Sequence, residues 1–335
     1  MKYLIVFSLG LFFSCQSQDL SHSQVINGVS LVAEKTVMQR VDLDPILAVN
    51  AEWCAVIPFS FMENLSDPGL KFNAKWQWKG ERLDGCEENI QLIHAQGLHV
   101  MVKPQIWIGR GEFTGKIQMK SEEDWILFEE NYSKYILAFA TMAEENGVEL
   151  FCIGTEMKRV VMERASYWSS LISEIRKIYS GKLTYAENWD CYAEVPFWAE
   201  LDFIGVDAYF PLVSDKTPSI PSLNKAWKKH FNGIKLLSED LQKKVLFTEF
   251  GYRSVDHCAK SPWDYGKKGE VNQLAQFNAL SSLFEQFWDK DFFAGGFLWK
   301  WHPDHRQSGG EENKMFTVQR KKSAQLLKEI YGKSK

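Results

Sequence analysis

The 335-residue chain reads as an α/β protein, a single (β/α)8 TIM barrel. Three observations lead there. Eight short runs of apolar, β-branched and aromatic residues recur from about residue 26, as strands buried on both faces should. Amphipathic stretches of 3.6-residue period lie between them, so the chain alternates like parallel βα units. Polar and charged residues collect just after the runs, at the end of a parallel barrel where groups from different strands converge.

The amino terminus precedes the fold. Met1-Lys2 supplies a positive start, and Tyr3 to Phe13 is an apolar run too short for a permanent span. Ser14-Cys15 and the polar Gln16-Ser17-Gln18-Asp19 follow. This resembles a bacterial lipoprotein signal. Residues 1–14 are expected to be removed and Cys15 lipidated, with residues 15–25 as a tether and 26–335 as the barrel domain. The protein would then be exported and anchored at the periplasmic or cell-surface face of a membrane. Phe12 and Phe13 stand where smaller residues are usual, and ordinary secretion with an unmodified Cys15 is the alternative.

The expected strands are Gly28–Leu31, Trp53–Pro58, His99–Pro104, Glu149–Gly154, Lys182–Ala186, Phe203–Asp207, Val245–Thr248 and Gly295–Trp299. The clearest helical periodicities run over Glu123–Ala143, Tyr167–Tyr179, Leu223–Leu241, Asn272–Trp288 and Lys321–Tyr331. A doubly wound open sheet would carry a glycine-rich phosphate turn after its first strand, and Gly28-Val29-Ser30-Leu31-Val32 is not one. No internal repeat or Pro/Gly/Ser-rich linker divides the chain.

A net charge of -4 without a basic run gives no pull toward nucleic acid or anionic membrane, leaving the lipid anchor as the membrane contact. Thirteen Trp, 11 Tyr and 23 Phe exceed the needs of one core, and flat rings suit pyranose faces, although core packing accounts for most aromatics. Cys54, Cys86, Cys152, Cys191 and Cys258 include no CxxC pair, which argues against zinc and leaves a loop disulfide open. No metal or cofactor is expected.

Two runs carry the chemistry. Glu149-Leu150-Phe151-Cys152-Ile153-Gly154-Thr155-Glu156 and Lys244-Val245-Leu246-Phe247-Thr248-Glu249 both end in Thr-Glu. Two carboxyls facing each other at a barrel mouth suit glycoside hydrolysis, one as acid and base and the other as nucleophile. Other strand ends add Lys103 and Gln105, Asn188 and Trp189, Asp207 and Tyr209, and Trp299 and Trp301. Singly, each has a dull reading as a loop polar group or helix cap. Six such ends converging on one face are harder to dismiss. The chemistry requires unlike environments, one carboxyl protonated and one ionised, and sequence does not say which is which. Nor does it separate retention, with carboxyls about 5 Å apart, from inversion, at over about 6.5 Å. The competing readings are carboxylates merely paired with Lys158 or Arg253, a metal hydrolase using His302-Pro303-Asp304-His305, and a binding protein that holds glycans without cutting them.

The strings themselves resemble glycoside hydrolase family 113: Gly154-Thr155-Glu156, Leu183-Thr184-Tyr185-Ala186 with Asn188-Trp189, and Asp202-Phe203-Ile204-Gly205-Val206-Asp207-Ala208-Tyr209-Phe210-Pro211-Leu212. Thr248-Glu249-Phe250-Gly251-Tyr252-Arg253-Ser254, Pro262-Trp263 and Gly295-Gly296-Phe297-Leu298-Trp299-Lys300-Trp301 continue it, in order, over about residues 26 to 331. The resemblance implies a (β/α)8 barrel of the large retaining clan, acting on β-1,4-mannan or glucomannan. It implies Glu156 as general acid/base, Glu249 as nucleophile, Trp299 as the floor under the cleaved sugar and Tyr209 as a partner holding the nucleophile ionised. Asn188, Trp189, Asp207, Lys103 and Gln105 are placed on the sugar from their strand ends, and Trp301 with them. Thr155 stands where most of the wider clan has Asn on the sugar 2-hydroxyl, which agrees with family 113 and leaves that contact unassigned. Gln105 stands where the family would have His. A monomer is expected. A β-glucanase, an exo-acting β-mannosidase and a non-catalytic glycan-binding lipoprotein are the alternatives. The long segments Phe59–Glu81 and Ser254–Val271 are the ones able to block an end of the cleft.

Overall fold

The computed structural model describes residues 25–333 except Lys267. The signal segment, Cys15 and all but the last residue of the tether lie outside the described residues. The described chain contains ten strands: β1 (Ile26–Leu31), β2 (Trp53–Val56), β3 (Phe59–Met62), β4 (His99–Val102), β5 (Gln105–Ile108), β6 (Leu150–Thr155), β7 (Lys182–Asn188), β8 (Ile204–Asp207), β9 (Val245–Phe250) and β10 (Phe293–Trp301). Eight close a barrel in the order β1-β10-β9-β8-β7-β6-β4-β2, every pairing parallel. All eight expected strands are present, and no end is shifted by more than two residues.

Helices α1 (Arg40–Ala48), α2 (Leu83–His94), α3 (Glu122–Glu145), α4 (Lys158–Glu163), α5 (Ala165–Ile178), α6 (Ile220–Leu241), α7 (Gln273–Phe287) and α8 (Lys322–Gly332) accompany the strands. The five expected helices are α3 and α5 to α8. Side chains cap several of them: Ser121 Oγ accepts from Asp124 N on α3, and Asn272 Oδ1 from Ala275 N on α7. None of the described helices is long and apolar enough to cross a membrane.

The core has two layers. Trp53, Met101, Leu150, Leu246 and Phe297 belong to a cluster drawn from barrel strands, which fills the barrel interior. A larger cluster, with Trp168 and Trp227 fully buried, packs the strands against the helices. The five described cysteines are buried free thiols, so no loop disulfide forms among them. At Gly295 the backbone takes φ 113°, and an added Cβ would meet the Ile26 carbonyl oxygen at 2.2 Å. Only glycine fits there.

The extra strands explain how the mouth is built. Pro58 follows β2 and Pro104 follows β4, and neither can donate to a ladder. Beyond the prolines the chains pair again as β3 and β5, a separate parallel pair with Phe59 beside Gln105 and Phe61 beside Trp107. The Tyr135 hydroxyl from α3 lies 3.1 and 3.0 Å from the Pro58 and Gln105 carbonyl oxygens and fixes this lip to the barrel.

Candidate active site

Glu249 lies near the end of β9 and is 6% exposed. Its Oε1 accepts from Lys103 Nζ at 2.5 Å and Gln105 Nε2 at 3.1 Å, and its Oε2 accepts from Tyr209 OH at 2.7 Å. Three donors from three segments therefore hold it as an acceptor. Lys103, just past β4, also donates to both Asp207 oxygens at 3.1 Å. Thr248 Oγ1 donates to Asp207 Oδ1 at 2.7 Å. One buried cation thus sits between two carboxylates. Burial works against the Lys103 charge, but Asp207 and Glu249 outweigh it and hold its pKa above the ordinary value. Burial, then the Glu249 charge, pushes Asp207 up.

Glu156 follows β6 and is held differently. Its φ of 51° is left-handed, a conformation that costs a non-glycine residue free energy. Backbone bonds maintain it. Glu156 N donates to Ala186 O at 2.8 Å, Thr114 Oγ1 donates to Glu156 O at 3.1 Å, and Met157 N donates to Tyr185 OH at 2.7 Å. The Glu156 carboxyl has no hydrogen-bond partner among the described residues. Desolvation, then the charges of Asp207 and Glu249, raises its pKa well above the usual carboxyl range.

Both glutamates line a cleft of about 890 Å³ at the carboxyl ends of the strands. Trp299 forms part of its wall, with Nε1 donating to Tyr265 OH at 2.8 Å and the Lys300 ammonium 5.5 Å from its ring centre. Trp189 stacks on Trp263 with centroids 5.1 Å apart. Two carboxyls on one sugar-sized cleft, one raised in pKa by its surroundings and one held by three donors, can deliver a proton to a leaving oxygen and attack the carbon it leaves.

A family model, Glycoside Hydrolase Family 113, matches residues 34–321. The chain belongs to glycoside hydrolase family 113. It is a glycoside hydrolase, and its substrate is a polysaccharide or oligosaccharide. Among solved structures, the family-113 β-mannanase AaManA from Alicyclobacillus acidocaldarius, in complex with ManMIm, is similar at TM-score 0.80 and 23% identity, over 93% of this chain and 98% of that one. A second family-113 β-1,4-mannanase has TM-score 0.78 and 22% identity, covering 92% and 99% of the two chains. A Ruminococcus gnavus β-glucuronidase reaches TM-score 0.63 at 13% identity over 92% of this chain and 50% of its own. At these identities the likenesses show the shared fold. No curated protein matches the chain.

In this family-113 enzyme the expected residues divide into three groups. Glu156, Glu249, Gln105, Asn188, Trp189, Tyr209 and Trp299 line the cleft together. Lys103 and Asp207 do not line it: both are fully buried beneath Glu249 and bonded to each other, so a sugar contact does not fit them. Trp301 is placed elsewhere, fully buried and stacked on His305. Trp299 and Trp301 would share a face of a regular strand. Between Val29–Leu298 and Leu31–Trp301 the β1–β10 register gains a residue, and this bulge separates them. His305 Nδ1 meets Gln319 Nε2 at 3.2 Å, and burial followed by the Lys300 charge pulls His302 down to about 4. Among the described residues no three His, Cys, Asp or Glu groups gather as metal ligands.

Sequence reading passed over Thr114, Lys300, Trp263 and Tyr265, which also line the cleft. It also passed over Glu187, buried beside Asn188 and pushed up to about 7 mainly by that burial. Lys300 was legible as a strand-end cation. Trp263 and Tyr265 come from the Ser254–Val271 segment, whose length marked it as able to reach the cleft but not which of its side chains would face it.

Proposed function

We propose that this enzyme cleaves β-1,4-mannosidic linkages in mannan or glucomannan by double displacement with retention. The observation that carries the reading is the opposite treatment of two carboxyls on one cleft. Glu249, held by three donors, is the nucleophile, and Glu156, without a donor and with a raised pKa, is the acid. The sugar rests on Trp299. Glu156 gives its proton to the leaving glycosidic oxygen while Glu249 bonds to the anomeric carbon. Glu156, now ionised, takes a proton from water, which attacks the same carbon and frees Glu249. Lys103, Gln105 and Tyr209 hold the Glu249 carboxylate in position for attack, and Asp207 keeps Lys103 in place. Mannose as the sugar is supported by the β-1,4-mannanases among the similar structures. The amino-terminal residues add export and a lipid anchor at Cys15 to this proposal, testable by palmitate labelling lost in Cys15→Ala.

The deciding experiment incubates purified protein with linear β-1,4-mannan, glucomannan, cellulose and xylan, and follows the anomer first released by NMR. Manno-oligosaccharides from the first two, released as the β-anomer, are expected. Release from cellulose or xylan alone overturns the sugar, and initial α-anomer overturns retention.

A further inference from the structure

The β3–β5 lip has a second face that the cleavage chemistry does not use in full. Ser60, Met62, Ile106 and Ile108 point into protein, while Phe59, Phe61, Gln105 and Trp107 alternate to the other side. This face begins at the proposed nucleophile, because Gln105 Nε2 donates to Glu249. Two residues further, about 7 Å along the strand, stands Trp107, which is 53% exposed and lines the cleft. The strand register sets Phe61 beside it. Trp76 meets the Phe61 ring edge-on with centroids 4.8 Å apart and is 60% exposed. Single exposed aromatics need no explanation, but Trp107 and Trp76, joined through the half-buried Phe61 and leading away from a catalytic cleft, form a surface.

That surface is rigidly mounted. Lys71 exchanges both backbone hydrogen bonds with Phe61, at 2.9 and 3.0 Å. Gln77 Nε2 donates to Phe59 O at 2.9 Å while its Oε1 accepts from Ala74 N at 2.8 Å, which fixes the loop carrying Trp76 against β3. Little ordering entropy remains to be lost when something docks on these rings. Flat, preorganised rings continuous with a glycosidase cleft match the apolar C–H faces of successive pyranoses.

We infer that Trp107, Phe61 and Trp76 form an aromatic track that binds the β-linked polysaccharide beyond the sugars at the scission point. The track makes the enzyme favour long chains over short oligosaccharides. This rests on the proposed cleavage of β-1,4-mannan. A long chain gains the stacking along the whole track out to Trp76, and a trisaccharide in the cleft covers only its inner part.

The test compares wild type with Trp76→Ala, Phe61→Ala and Trp107→Ala. It measures kcat/KM on soluble β-1,4-mannan and on mannotriose and takes the ratio of the two. Trp76→Ala is expected to lower that ratio about 5-fold to 20-fold through KM. A readout without turnover uses the same substitution in a Glu249→Gln background, where retardation in a mannan-containing native gel should be lost. Ratios and retardation equal to those of wild type, in a protein that still cleaves mannan, overturn the track alone. A changed sedimentation coefficient with unchanged mannan affinity makes the patch a protein interface and also overturns it. A wild-type protein that neither cleaves nor binds mannan removes the proposed function, and the track falls with it.

Discussion

Glu149 and Glu156 bracket the same strand, β6, and the protein treats them in opposite ways. Glu149, at the amino-terminal face of the barrel, accepts from His94 Nε2 at 3.2 Å, His99 Nδ1 at 3.0 Å and Val100 N at 2.9 Å. Burial alone would raise its pKa, but these partners overcome it and take the group down to about 2. Glu156, at the carboxyl-terminal face, has no such partner and is raised by desolvation and two neighbouring negative charges. One carboxyl is satisfied and the other is left poised. The difference shows which end of the barrel stabilises the fold and which end is arranged for chemistry at some cost in stability.

The largest expected effect lies at the chemical end. Glu249→Ala and Glu156→Gln should each lower kcat/KM by about 10³-fold or more, since the proposed mechanism has both act in one displacement cycle. Azide added to Glu249→Ala should restore part of the turnover with inverted product, because a small anion replaces the lost carboxylate. A variant of either glutamate with near-normal turnover would remove its assigned role.

Next comes stability, where the two glutamates should move in opposite directions. The folded pKa of Glu156 lies above its ordinary 4.5. Its contribution is therefore complete below that value and is lost as pH rises through the folded pKa. Glu156→Gln should accordingly raise Tm at pH 8 relative to wild type and do so less at pH 4. The folded pKa of Glu149 lies below the ordinary 4.5, at about 2. Its contribution is present above the ordinary value and is lost as pH falls toward 2. Glu149→Gln should cost about 1–3 kcal/mol at pH 7, read by urea denaturation, with kcat of the folded enzyme within about 2-fold of wild type. Equal stability losses in both variants would erase the contrast between the two ends.

A smaller effect concerns pH. Asp207 helps raise Glu156, so Asp207→Asn should move the alkaline limb of the kcat/KM profile to lower pH. An unmoved limb would leave Glu156 to desolvation and to the charges of Glu249 and Glu187. The smallest effect is expected from Thr114→Val, which removes one bond to the Glu156 carbonyl, worth on the order of 1 kcal/mol. A fall in kcat of up to about 10-fold with unchanged KM would mark Thr114 as a positioning residue.

The eight barrel strands were legible because strands covered on both faces read as apolar runs. The lip pair was not, because Phe59–Met62 and Gln105–Ile108 alternate with period two directly behind runs that seemed to end at proline. Pro45 inside α1 and Gly85 in α2 hid those helices from a periodicity search. Glu156 and Glu249 could be found because each ends an apolar run, where position in the strand implies position in the barrel. Lys103 and Asp207 were found for the same reason but given the wrong neighbour: strand order shows which end a residue occupies and not how deep it lies. Trp301 was misplaced by the β10 bulge, which shifts register without leaving a mark in the residue types.

The claim that Glu156 is held protonated by its surroundings can be measured directly by ¹³C-carboxyl NMR titration. Wild type and Glu249→Gln would be compared, with the Glu156 signal assigned by its loss in Glu156→Gln. The account predicts a wild-type pKa well above 4.5 that falls when the Glu249 charge is removed. A Glu156 that titrates near 4.5 in both proteins would contradict it.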